Sequence, residues 1–398
     1  MTLFKPALLK GLSLNRTLLN RTLPLALILS LTGCGLWDTD EEIEPADLVD
    51  ITEEYDLDKL WSVQIGAGSG EKYLQLTPAF TEKQVFAVDH EGEVYAIDRQ
   101  SGDTQWRQEL ELSVSGGVGA GEGVVVATSF DGRAVALNSN DGELLWQVDL
   151  TSEAVAPAQL TYGLALIQTI DGRLSAFDVS NGQLRWSYSA QEPALTLRGT
   201  STPLVVGDTV FAGFSSGKVV ALKLRTGDVQ WESRITAPEG RTELERMVDI
   251  DGSLLQADGL IYAGSYQGKV AAIVMRDGRR LWSEPLSSYR SLAQGGQSLF
   301  AVDDQGSLVA FDKRSGTELW KQDALYYREV SAPAVIDGLV AVGDYDGYIH
   351  LVNPGDGNFV GRHRVDSSAI VVQPISRNGV LYTFSNDGRL SALVVEQE

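Results

Sequence analysis

Apolar and polar residues alternate in short bursts along most of this chain, and glycine separates the bursts. In "DGRLSAFDVSNGQLRW" (Asp171–Trp186) a polar–Gly pair opens the run. Such a pair supplies the positive φ of a tight hairpin turn. The alternating residues that follow predict a strand with one buried face. A second glycine turn then reverses the chain into a strand carrying tryptophan. The spacing G-x3-A-x5-G-x3-W recurs in six segments, ending at Trp106, Trp146, Trp186, Trp231, Trp282 and Trp320. A seventh copy, Gly347 to Gly361, keeps the spacing but has Leu351 for Ala and Gly361 for Trp. The eighth, "DGRLSALVVE", ends before its Trp. Upstream of the repeat lies a further strand such as "VFAVD" (Val85–Asp89), and in five copies a proline precedes it: Pro78, Pro157, Pro203, Pro333 and Pro374. Four short antiparallel strands in roughly 40–50 residues are what a propeller blade requires.

The count closes at the ends. The last blade lacks its Trp strand, whereas "KLWSVQIG" carries Trp61 with no hairpin before it. Pairing the Trp61 strand with the final blade closes the ring and removes the open edges of a linear array. The expectation is an all-β, eight-bladed β-propeller of four-stranded antiparallel blades over residues 59–398, with Ala leaving room for Trp and Trp locking neighbouring sheets.

The first 33 residues have another character. Lys5, Lys10, Arg16 and Arg21 precede an apolar run, "LPLALILSL", too short to span a bilayer as a helix. It ends in "LTGC", which resembles a bacterial lipobox. That resemblance implies a lipoprotein signal peptide over 1–33 and a lipidated Cys34, the only cysteine in the chain. No disulfide or cysteine nucleophile can then operate in the rest of the protein. Residues 35–58 carry eleven acidic side chains and no basic one, and are expected to form, with Cys34, a solvated tether over 34–58. A net charge of −22 disfavours nucleic acid and anionic lipid surfaces as partners. The lipobox resemblance implies that the membrane is reached by the N-terminal lipid alone.

The motif A-x-D-x3-G-x3-W, intact at Ala96–Trp106, Ala176–Trp186 and Ala310–Trp320, resembles the tryptophan-docking repeat of quinoprotein dehydrogenases. The repeat speaks for fold more than for function. Many of those enzymes place a vicinal disulfide beside the quinone, which this chain cannot form. His90, His350 and His363 show no metal-ligand spacing, and no G-x-S-x-G or phosphate-loop signature is present. No cofactor, metal or catalytic residue is therefore expected. A quinone enzyme and a glycan- or peptide-binding propeller stay as alternatives, the latter because Tyr289, Tyr326 and Tyr327 lie in or near inter-blade connections.

A closer resemblance covers essentially the whole chain. Lipobox, acidic tether and eight repeats with nothing appended are similar to the BamB family, lipoproteins of the outer-membrane β-barrel assembly (BAM) machinery. "LTLRG" (Leu195–Gly199), "TELERMVDID" (Thr242–Asp251) and "VGDYDGYIHLVNPGDGNFV" (Val342–Val360) strengthen the likeness. It implies a non-enzymatic subunit on the periplasmic face of the outer membrane. Such a subunit binds the POTRA domains of BamA, aids insertion of β-barrel proteins, and has unfolded barrel proteins as further candidate partners.

Two connections between blades, 187–202 and 232–253, are over-long and flank one blade, so they should be neighbours on one rim. Binding residues concentrate on such loops. If 195–198 is extended, Leu195 and Leu197 share a side; in "DID" so do Asp249 and Asp251, after a helix-like turn at 241–247. Spacing alone leaves two readings open. The leucines either face a partner or begin a buried strand, and Arg198 either offers its fork outward or neutralises Asp249 or Asp251 internally. The family resemblance implies BamA binding by Leu195, Leu197, Arg198, Asp249 and Asp251.

Overall fold

The computed structural model describes residues 44–70 and 72–397. Within them, thirty-two strands, numbered β1–β32 in chain order, form eight four-stranded sheets. The first blade shows the plan. Strands β2 (Ala79–Phe80), β3 (Gln84–Val88), β4 (Glu93–Asp98) and β5 (Thr104–Glu109) pair in sequence order, with β3 and β4 buried and β5 largely exposed. The eight-bladed expectation holds, including its closure. Strand β1 (Tyr55–Gln64) pairs antiparallel with β32 (Arg389–Gln397), opposing Trp61 to Ala392.

The repeat's residues now have physical roles. Ala and Trp face each other across the outer strand pair, as in Ala96↔Trp106 and Ala176↔Trp186, so the small side chain makes room for the indole. The indole then reaches the next blade. Trp106 packs on Gly142, where a Cβ would fall 2.8 Å from a ring carbon, and its Nε1–H donates to the Ser139 carbonyl at 2.9 Å. Gly142 also has φ +76°, so both backbone and space demand glycine there. The same donation runs from Trp61 to Arg99, Trp146 to Val179, Trp186 to Leu224, Trp231 to Met275, Trp282 to Lys313 and Trp320 to Pro354. Each buried indole is thus satisfied and staples one blade to the next.

Blade seven departs from the repeat for a structural reason. Leu351 faces Gly361, exchanging the bulk of the usual Ala–Trp pair between strands. A Cβ on Gly361 would meet the Tyr55 carbonyl at 2.2 Å, because the chain entering β1 runs across this position. Leu57 fills the vacated space, fully buried with Leu351 and Val360. We therefore expect Gly361→Ala, despite its small size, to cost about 1–3 kcal/mol by displacing β1. Denaturant unfolding checks this against Gly355→Ala, which likewise lacks positive φ and whose Cβ would meet only the Asn353 side-chain oxygen, at 3.2 Å.

The approach to β1 corrects one expectation. Residues 44–54 do not form a solvated tether; they lie along the seventh blade. The Ala46 N–H donates to the Tyr326 carbonyl (2.9 Å), Arg328 and Arg362 donate to the carbonyls of Ala46 and Val49 (each 2.9 Å), and Glu54 N–H donates to Val360 (2.8 Å). Leu48 packs against the core of Phe300, Leu325 and Val340. The acidic composition hid a strap whose carbonyls, not its carboxylates, are held by the arginines. The propeller's first strand begins at Tyr55, and the segment docked against the blades reaches back to residue 44. The expected signal peptide, Cys34 and residues 35–43 lie outside the described residues.

Candidate partner-binding face

The two long connections meet as expected. One joins β13 (Leu184–Ser189) to β14 (Leu204–Val206); the other joins β17 (Val229–Arg234) to β18 (Leu255–Ala257). The second begins with a capped turn. Thr242 Oγ1 accepts from Glu245 N–H (3.2 Å), and Glu245 Oε2 accepts from the N–H of Arg241 (2.6 Å) and Thr242 (3.3 Å), a capping box around one helical turn. Met247, Val248 and Ile250 then anchor the loop in the core.

That anchoring aims both aspartates at the first loop. Asp249, fully buried, accepts the Leu197 N–H at 3.2 Å. Asp251 packs under Gly199, where a Cβ would lie 2.1 Å from its carboxyl carbon. The loop 195–199 thus rests on the D-x-D pair, and both leucines point outward, Leu195 41% and Leu197 36% exposed. The buried-strand reading of the leucines does not hold, since β14 starts only at Leu204.

Arg198 departs from expectation. It takes neither Asp249 nor Asp251. Its backbone adopts φ +63°, and its guanidinium forms a bidentate pair with Glu153 (2.5 and 2.6 Å) while lying 5.3 Å above the Phe130 ring. Glu153 is nearly buried, whereas the Arg198 side chain is 59% exposed. The sequence reading missed Glu153 because nothing in its repeat position marks it.

Without Arg198, the carboxyls behind the loop face one another. Burial and then the Asp249 charge push Glu192 up to about 7, although the N–H groups of Ser215 and Ser216 favour its anion. Burial raises Asp249, and burial followed by Asp249 and Glu192 raises Asp251 well above the carboxylate range. Glu192 Oε2 and Asp249 Oδ2 lack donors, so these oxygens are where protons fit. The sign follows from linkage. A carboxyl whose folded pKa is raised stabilises the fold below its unfolded pKa, and stability falls as pH climbs from about 4.5 toward 7. Glu192→Gln should remove this loss, raising stability at pH 8 by about 1–2 kcal/mol with little effect at pH 4. Thermal unfolding at the two pH values tests it.

Leu197, Arg198 and Asp251 form one side of a funnel of about 800 Å³. Tyr266, Tyr289, Arg290 and Tyr327 belong to the same lining, as does Tyr73 from the connection between β1 and β2. Tyr326 instead packs edge-on against Tyr327, their centroids 4.3 Å apart. The histidines serve the scaffold. His90 Nδ1 lies 3.2 Å from the Gly68 carbonyl, His350 is buried against Asp344 (3.0 Å), and His363 faces Asp56 (3.0 Å).

Comparison with known proteins decides the family. The model described as "Outer membrane protein assembly factor BamB" matches residues 90–322. A curated protein of that name from Pseudomonas aeruginosa is 50% identical over 371 residues, covering 93% of this chain and 97% of its own length. The chain belongs to the BamB family. The crystal structure of BamB from Moraxella catarrhalis superposes with TM-score 0.79 at 28% identity, over 85% of this chain and all of that one. The quinohemoprotein alcohol dehydrogenase of Comamonas testosteroni also superposes, with TM-score 0.68 at 13% identity, over 85% of this chain and 76% of the enzyme. That likeness concerns the fold alone.

Proposed function

We propose that this chain is a non-enzymatic lipoprotein subunit of the outer-membrane β-barrel assembly machinery, bound through the loop 195–199 to the POTRA domains of BamA. Family membership supports the assembly role and an association with the outer membrane. The finer reading rests on one observation: two neighbouring leucines stand exposed on a loop fixed from beneath by Asp249 and Asp251. Exposed apolar side chains on a pre-organised loop, beside an arginine already oriented by Glu153, have the character of interface anchors. In this reading Asp249 and Asp251 are positioning residues that shape the loop, while Leu195, Leu197 and Arg198 touch the partner. The lipid on Cys34 holds the propeller at the periplasmic face of the outer membrane. The test is co-purification: the full-length chain, extracted from membranes in mild detergent, should bring BamA with it. Absence of BamA from a folded, membrane-bound preparation would contradict the proposal.

A further inference from the structure

The funnel lining that includes Leu197 also holds a cation without an ion-pair partner. Arg290 is only 9% exposed, yet among the described residues it makes no ion pair. Its Nη1 donates to the Asp303 carbonyl at 3.0 Å, and its guanidinium lies 4.4 Å from the centroid of the Tyr289 ring. The carboxylates nearby are otherwise accounted for, and Asp251, on the same lining, is pushed toward its neutral form by burial, Asp249 and Glu192 and makes no ion pair with Arg290. Asp303 pairs with Lys321 at 3.0 Å, Asp304 accepts from Ser287 at 2.7 Å, and Glu153 takes Arg198. Burying an unpaired cation is costly, and the net charge of −22 makes the lack of a partner more telling. The cost is offset when a ligand supplies the anion.

The surroundings narrow the ligand. A guanidinium fork matches the planar geometry of a carboxylate. Around it the funnel offers aromatic faces from Tyr73, Tyr266, Tyr289 and Tyr327. Leu74, Val155, Ala156, Pro157 and Ala332 add aliphatic wall. An oligosaccharide would use the aromatic platforms but would leave the aliphatic wall and the cation unmatched. A small anion would leave most of the roughly 800 Å³ empty. Alternating apolar side chains with a carboxylate use all three features.

We infer that the Arg290 wall of the funnel is a carboxylate-binding site for an extended polypeptide, whose neighbouring apolar or aromatic side chains lie against the tyrosines. This goes beyond the proposed function and does not depend on BamA binding. The carboxylate can be a side chain or a chain terminus, and the experiment separates the two.

The probes are fluorescein-labelled hexapeptides of alternating Tyr and Ser, followed by anisotropy on the full-length chain in detergent. One carries an internal Glu and an amidated C-terminus, a second an internal Gln and a free C-terminus, a third an internal Gln and an amide. At least one of the first two should bind tenfold or more tighter than the neutral third, and which one identifies the source. Arg290→Met should erase the difference, and Arg290→Lys should restore part of it. If Arg290→Met fails to give the parent near-UV dichroism, Tyr73→Ala carries the test instead, because Tyr73 is 64% exposed; a threefold or greater weakening is expected. The inference is overturned if the three peptides bind alike, if none binds, or if the acidic preference survives in folded Arg290→Met. Undiminished binding to Tyr73→Ala, where that variant carries the test, overturns it as well. Displacement of the acidic peptide by a neutral oligosaccharide would overturn the ligand class.

Discussion

Asp344→Ala is expected to destabilise the protein by about 3–5 kcal/mol, the range for removing one partner from a buried ion pair. Asp344 is fully buried and accepts from Arg328 Nε (3.0 Å) and Nη2 (2.8 Å) and from His350 Nε2 (3.0 Å). Its other oxygen caps the hairpin turn through the N–H groups of Asp346 and Tyr348, each 3.0 Å away. Burial alone would raise its pKa, but His350, the Tyr348 N–H and Arg328 together hold it below the usual value. His350 is held neutral by burial, which fits its position as acceptor for Arg362 Nε at 3.2 Å and donor to Asp344. Removing the carboxylate leaves buried Arg328 only its half-exposed partner Asp346 (2.6 Å) and loosens the residue that holds Ala46. The strap should therefore loosen along with the global loss. Denaturant unfolding gives the first effect, and amide exchange at Ala46 and Glu54 gives the second. A loss below about 1 kcal/mol with unchanged strap protection would show that the network is not what fixes the N-terminal segment.

Leu197→Asp is expected to weaken BamA binding by about thirty-fold or more, the loss of roughly 2 kcal/mol that marks an interface anchor. The fold should be nearly untouched, because the side chain is already partly in solvent and its backbone N–H, not its side chain, is what Asp249 holds. That separation makes the variant informative. Glu153→Ala should act on the same face less directly: Arg198 keeps its charge but loses the bidentate support that orients it.

The fold was legible because each repeat carries its own reason. Ala faces Trp, Trp docks on Gly, and the turn at that Gly needs positive φ, so composition and spacing fix the blade together. The missing eighth Trp strand was found the same way, by counting slots. Gly361 was legible only as a departure; its cause, the Tyr55 carbonyl, comes from a segment distant in sequence. The strap at 44–54 was misread because its acidic side chains argue for solvent, while its docking uses backbone carbonyls that composition does not register. At the site, the adjacency of the two long loops followed from blade topology. Arg198's true partner did not, because an arginine can turn to any of several acids and the path of the loop, which leaves Arg198 at φ +63° beside Glu153, is not written in spacing.

The most direct test of the functional account is a titration of a BamA POTRA fragment against the full-length chain, with Arg198→Ala and Leu197→Asp forms verified as folded by circular dichroism. Saturable binding by the parent and a marked loss in both variants are expected. No binding by the folded parent, or variants that bind with the parent's affinity, would contradict it.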